Sequence, residues 1–260
     1  MANTDPLGLI VPPSNPTLEV EIRQLLGKTP HLYTSRLPFC QSPDLASRNQ
    51  LYLESCLDTA QRFGTLPLRG IIVGCTGAFY GLGPELDQRQ CDGHGEQLGR
   101  PYCTASLASL LLIRQLGFTR VQLELPYPDW LIERAVAYFS AAGLEIVAAR
   151  SLLHPLGVSH PYEIEEPQLT ACLRELHVPP KTLVFLSGTG MFSLAAHQHV
   201  VHDCHVPLLS TNICITNWLL GLLGNTYRGS RLMRQLMRKL MRYSTQKPDR
   251  ESVLYPKLWR

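Results

Sequence analysis

The sequence lacks any run of the ~18 consecutive apolar residues that a bilayer-spanning helix needs. Its longest candidate, "ITNWLLGLLG" at 215–224, is short and broken by glycine. The opening stretch, "MANTDPLGLIVPPSNP", lacks a basic segment leading into a long apolar run, so no secretory leader is expected. A strong charge of either sign is also missing. With 24 Lys and Arg against 21 Asp and Glu, the net charge is +3, too small to mark a nucleic-acid surface. These absences point to a cytoplasmic, reduced setting, in which the eight cysteines are free thiols rather than a disulfide framework. The 260 residues, 45% of them hydrophobic, suffice for one large or two small domains with real cores.

What is present is a repeat. "GCTGAF" at 74–79 returns as "SGTGMF" at 187–192, so that Thr76, Gly77 and Phe79 meet Thr189, Gly190 and Phe192. Each copy follows an apolar, β-rich run. "LGLIVPPSNPTLEVEIRQLLG" and "VQLELPYPDWLIERAVAYFSAAG" both read as a strand, a proline-containing loop and a helix. "RPYCTASLASLLLIRQLG" and "VPLLSTNICITNWLLGLLG" both read as a short strand, a threonine loop and an apolar helix closed by glycine. Three pairs in one order imply a duplicated unit. Strands alternating with helices predict an α/β fold: two pseudo-symmetric halves, each a mainly parallel sheet flanked by helices. The expected boundaries are 1–104 for the first half, with 214–260 returning to it, and 105–213 for the second. Ligands in such sheets bind beyond the carboxyl ends of the strands, so a cleft between the halves is expected from the loops at Pro13–Asn15, Cys75–Gly77, Tyr127 and Gly188–Gly190, together with the loops at Thr104 and Thr211.

The two glycine-rich loops differ at one position: Cys75 in the first faces Gly188 in the second. Gly-rich turns after strands present backbone N–H groups that hold anions. A thiol among them is expected to favour its reactive thiolate; the plainer alternative is a small buried residue at a strand end. "VPPSNPTLEVE", "VGCTGAF", "RPYCTASLASLLLIRQLG", "LPYPDWLIERA" and "VPLLSTNICITNWLLGLLG" resemble, in order and spacing over residues 7–224, the aspartate/glutamate racemase superfamily, and within it the maleate cis–trans isomerase and arylmalonate decarboxylase branch.

That resemblance implies two α/β halves around one active site, no cofactor and a small carboxylate or dicarboxylate substrate. It also implies Cys75 as the catalytic group, with Asn15, Thr76, Gly77, Tyr127, Gly188, Thr189 and Gly190 as substrate-binding positions. Two-base racemases and maleate isomerases of the family carry a cysteine in each half; its decarboxylases keep only the second-half one. With Gly188 this chain matches neither pattern, and two-base racemisation of amino acids is disfavoured. A single thiol still serves isomerisation, the preferred expectation, or decarboxylation. A carboxylate-binding protein without catalysis is the rival of another class. Gly188→Cys is expected to restore a thiol on the opposite face. Asn15 in "PSNPT" is on its own a turn or cap residue, and Tyr127 between prolines is on its own a packing residue.

Weaker signals complete the inventory. Cys214, on the helix after Thr211, is expected to pack rather than react. His197, His199, His202, Cys204 and His205 are zinc-ligand types at spacings that fit no metal motif, so no metal is expected. The polar, glycine-rich stretch 81–99, with Cys91 and His94, reads as a mobile loop over the cleft. The basic Met/Leu helix near 229–243 is expected to lay its apolar stripe on the first half, and a homo-oligomer is compatible with the sequence.

Overall fold

A computed structural model describes residues 6–28, 30–42, 44–203, 206–224 and 229–244. The chain alternates strand and helix throughout. The first sheet takes β1 (Leu7–Val11), β2 (Leu32–Arg36), β3 (Ile71–Val73) and β4 (Tyr102–Thr104); the second takes β5 (Arg120–Leu125), β6 (Glu145–Ser151), β7 (Thr182–Leu186) and β8 (Leu208–Ser210). Both are wholly parallel, and their orders, β2-β1-β3-β4 and β6-β5-β7-β8, are the same pattern twice. The expected fold is therefore present. Register repeats as well: Gly8 pairs with Ile71 in one sheet, and their counterparts Gln122 and Val184 pair in the other. β1, β3, β7 and β8 are buried along their length, as strands covered on both faces must be.

The connecting helices are α1 (Leu18–Leu26), α2 (Leu45–Gln61), α3 (Pro84–Leu98), α4 (Ala105–Gln115), α5 (Asp129–Ala141), α6 (Leu153–Leu156), α7 (Glu166–Arg174), α8 (Leu194–Asp203), α9 (Thr211–Gly221) and α10 (Arg231–Met241). α9 packs on α1 and α4, so one hydrophobic core runs from the first sheet into the second. Edge-to-face contacts among Tyr80, Tyr138, Phe139 and Phe185 continue it, with ring centroids 5.3 to 5.8 Å apart.

Two carboxylates pin this junction from inside. Glu21 on α1 accepts from the N–H groups of Ser193 and Leu194, at 2.6 and 2.8 Å, and so caps α8 in the other sheet. It also accepts from the Ser193 hydroxyl and the Asn212 amide. Asp87 on α3 accepts from Thr104 and from the Tyr138 hydroxyl on α5. Burial pushes its carboxyl up to about 6, with the Tyr138, Thr104 and Cys91 hydrogen bonds pulling it back.

One expectation fails here. Residues 81–99 are not a loop: Pro84–Leu98 is a helix. Pro84 occupies its first turn beside Glu85 and Asp87, and Gly99 closes it at φ 63°. Asp87, Cys91 and Gly95, four residues apart, form its buried face. Packing of that face overrides the weak helix preference of Gly93 and Gly95. α10 buries Met233, Leu236 and Leu240, starts from a Ser230 cap and packs on α1, so its apolar stripe is spent within the molecule. Among the described residues no helix is long and apolar enough to cross a membrane.

Candidate active site

The strand order reverses at β1 and β3, and again at β5 and β7, so the crevice lies beyond their carboxyl ends. Four loops meet there: those after β1 and β3 from one sheet, and those after β5 and β7 from the other. A cavity of about 70 Å³ lies between them. Cys75, Asn15, Thr76 and Gly77 line it from the first sheet, and Tyr127, Gly188, Thr189 and Gly190 from the second. The loops at Thr104 and Thr211 stay outside the lining. Thr104 caps α4 and binds Asp87; Thr211 holds the Gly188 N–H at 3.1 Å from behind.

Hydrogen bonds fix the loops to one another. Asn15 accepts from the N–H groups of Thr17 and Leu18, so it does cap the start of α1. Its amide then crosses the cleft to the Thr189 hydroxyl at 3.0 Å, and Thr189 donates on to the Gly74 carbonyl. Thr17 closes a second bridge to the Gly190 carbonyl. The hydroxyls of Thr76 and Tyr127 lie 2.7 Å apart. Tyr80 and Ser187 hydroxyls share another bond between the loops. With these bonds made, the N–H groups of Thr76, Thr189 and Gly190 have no acceptor among the described residues.

Cys75 is 9% exposed at the cavity wall. Burial pushes its thiol up, while the N–H of Ala78, the charge of Arg48 and the N–H of Gly77 pull it down. The balance lies above the ordinary value, so the resting group is a thiol. The expected resting thiolate is corrected on that point: desolvation outweighs the loop donors. Burial likewise raises Tyr127 well above 10, which keeps its hydroxyl a donor.

Gly188 faces the site, since a Cβ built there would sit 3.4 Å from the Tyr127 hydroxyl oxygen. It would also sit 3.0 Å from Pro126, on a backbone at φ +114°. Only glycine takes that conformation without strain. Gly188→Cys is therefore expected to lose about 1–3 kcal/mol of stability, measured by denaturant titration, before its thiol contributes anything. An unchanged midpoint would mean that the loop relaxes to accept the side chain.

The other sequence candidates fall elsewhere. Cys214 is fully buried between α9 and α4, where burial pushes its thiol well up and the Ser109 hydroxyl is its counterweight; it does not line the cavity. His197 is buried with Nε2 2.6 Å from the Leu208 carbonyl, and burial lowers it to about 4, so it is a neutral core residue. Among the described residues no group of three or more His, Cys, Asp or Glu is placed to hold a metal. The side chain of His202, and Cys204 and His205, lie outside the described residues. Sequence comparison within the chain missed five cavity residues with polar side chains: Arg48, Asn49 and Tyr52 from α2, and His160 and Tyr162 from the segment before α7. The Tyr162 ring covers Gly190 so closely that a Cβ on Gly190 would meet it at 2.4 Å.

With this geometry in hand, the relatives are informative. Residues 7–231 match the arylmalonate decarboxylase family. The chain belongs to that family. It is 26% identical to the arylmalonate decarboxylase of Bordetella bronchiseptica over 214 residues, 81% of this chain and 87% of that protein. It is 29% identical to the maleate isomerase of Nocardia farcinica over 156 residues, 56% of this chain and 61% of that one. Two solved structures share the fold at 24% identity. A cysteine-to-serine mutant of the Nocardia farcinica maleate cis–trans isomerase, with a covalently bound succinylcysteine intermediate, superposes with a TM-score of 0.74 over 88% of this chain and 98% of its own. A liganded arylmalonate decarboxylase, with one glycine changed to cysteine and one cysteine to serine, does so with 0.75 over 87% and 96%.

Proposed function

We propose that this family member is a cofactor-independent isomerase of a small unsaturated dicarboxylate, of the maleate type, and that Cys75 is its reacting group. The observation that carries this reading is one thiol on the wall of a cavity ringed by unfilled N–H donors from both sheets. The division at 1–104 with 214–260, and 105–213, puts the thiol on one side of the cleft and glycine on the other. In the reaction Cys75 first releases its proton to solvent, and the ionised sulfur adds to one alkene carbon. The π pair moves to the adjacent carbon and its carboxylate. The former double bond, now single, rotates. The pair then returns and expels the thiolate, so no proton or electron is consumed. The charge that develops on the carboxylate meets the N–H groups of Thr76, Thr189 and Gly190 and the Tyr127–Thr76 hydroxyl pair.

A second reading is kept because burial favours the protonated Cys75 at rest. A thiol is what protonates the enediolate left when a malonate loses carbon dioxide. Proton NMR in D2O separates the two. The first reading expects maleate to become fumarate without deuterium at the alkene carbons. The second expects a 2-substituted malonate to give a monoacid deuterated at C2. If neither substrate class changes, the binding-protein alternative moves ahead.

A further inference from the structure

The cavity has an outer end that the mechanism has not used. Its wall there is α2, which presents Arg48 and Asn49. The Arg48 guanidinium is half-buried and has no ion-pair or hydrogen-bond partner among the described residues. No Asp or Glu lines the cavity; the carboxylate that acts on Arg48 is that of Asp44, the exposed cap of α2, which is bonded to Ser47 and makes no ion pair with the guanidinium. Asn49 is 8% exposed, and its amide nitrogen is buried without a hydrogen-bond acceptor. Leaving such donors unfilled is costly, and each structure that does so needs a reason. His160 adds a third donor. Its Nδ1 accepts from the Tyr162 N–H at 3.2 Å, which leaves the proton of the neutral ring on Nε2. A cation, an amide and an imidazole N–H, none with an acceptor of its own, make a seat for an anion.

We propose that Arg48 and Asn49, with His160, seat a second carboxylate of the substrate, so that the site selects dianions with a charge at each end. This inference rests on the reading of the Cys75 cavity as a carboxylate site. It also bears on the reaction. In isomerisation both carboxylates remain charged from substrate to product, and the outer seat holds one of them throughout. In decarboxylation the departing carboxylate becomes neutral carbon dioxide, and a guanidinium on it stabilises the ground state more than the transition state. The outer seat therefore favours a substrate that keeps both its carboxylates.

The test uses two saturated probes of equal carbon number, succinate and butyrate, on the full chain. Each is titrated as a protectant of Cys75 against iodoacetamide, with the Cys75 peptide followed by mass spectrometry. Succinate is expected to protect at a concentration about tenfold or more below that of butyrate. Arg48→Gln is expected to raise the succinate concentration about tenfold and leave butyrate within about twofold, and Arg48→Lys to recover part of the loss. An equal response to the two acids in the unmodified chain would overturn the proposal, and so would an unchanged ratio in Arg48→Gln. A clear succinate preference with no conversion of maleate would remove the isomerase reading and leave the outer seat standing. Protection by neither acid would remove both.

Discussion

Cys75→Ser is expected to lower kcat/KM for the preferred dicarboxylate by at least about 10³-fold, with carboxylate binding little changed. The reason is acidity. A serine hydroxyl neither ionises near neutral pH nor gives up a proton to a carbanion at a useful rate, whereas a thiol does both. Binding survives because the donors are elsewhere: the N–H groups of Thr76, Thr189 and Gly190, and the Tyr127 hydroxyl. Steady-state kinetics with a parallel binding titration check both halves of the statement. Full activity in Cys75→Ser would remove the thiol from the mechanism.

Glu21→Ala is expected to cost about 3–5 kcal/mol of stability, a fall in Tm on the order of 10 °C. Glu21 is 2% exposed and accepts four hydrogen bonds, from Ser193 N–H and Oγ, Leu194 N–H and the Asn212 amide. Alanine leaves all four donors buried and unfilled. Burial raises the Glu21 carboxyl, and the Asn212, Leu194 and Ser193 bonds act against that rise. Glu21→Gln, which keeps an acceptor but turns an amide toward donors, should lie between. The same change should reach the site, since Ser193 and Leu194 directly follow the loop that carries Thr189 and Gly190. Calorimetry reads the first effect. A melt within about 2 °C of the unmodified chain would show that Glu21 does not tie the two sheets together.

How much of this was legible beforehand depended on the repeat. The GCTG and SGTG loops, the proline loops and the paired threonines announced the duplicated α/β fold, and the glycine-rich and proline loops, but not the threonine ones, are what the strand ends bring to one cavity. Arg48, Asn49 and Tyr52 escaped because they sit in the first turns of α2, where a polar residue reads as a solvated face. Their inward direction is set by how α2 lies on the first sheet. His160 and Tyr162 belong to a segment with no counterpart in the first half. Residues 81–99 were misjudged because glycine content argues against a helix locally, while the buried Asp87–Cys91–Gly95 face that stabilises it is a tertiary fact. The resting state of Cys75 was misjudged for a similar reason. Sequence displays the donors of its loop, but the desolvation that outweighs them appears only once the second sheet closes over it.

One sulfur, that of Cys75, is expected to bond to the substrate. Acid quenching of the protein at saturating maleate, followed by peptide mass mapping, tests it most directly. A succinyl adduct is expected on the peptide carrying Cys75, and none in Cys75→Ser. Conversion of maleate with Cys75 unmodified and another cysteine carrying the adduct would contradict it.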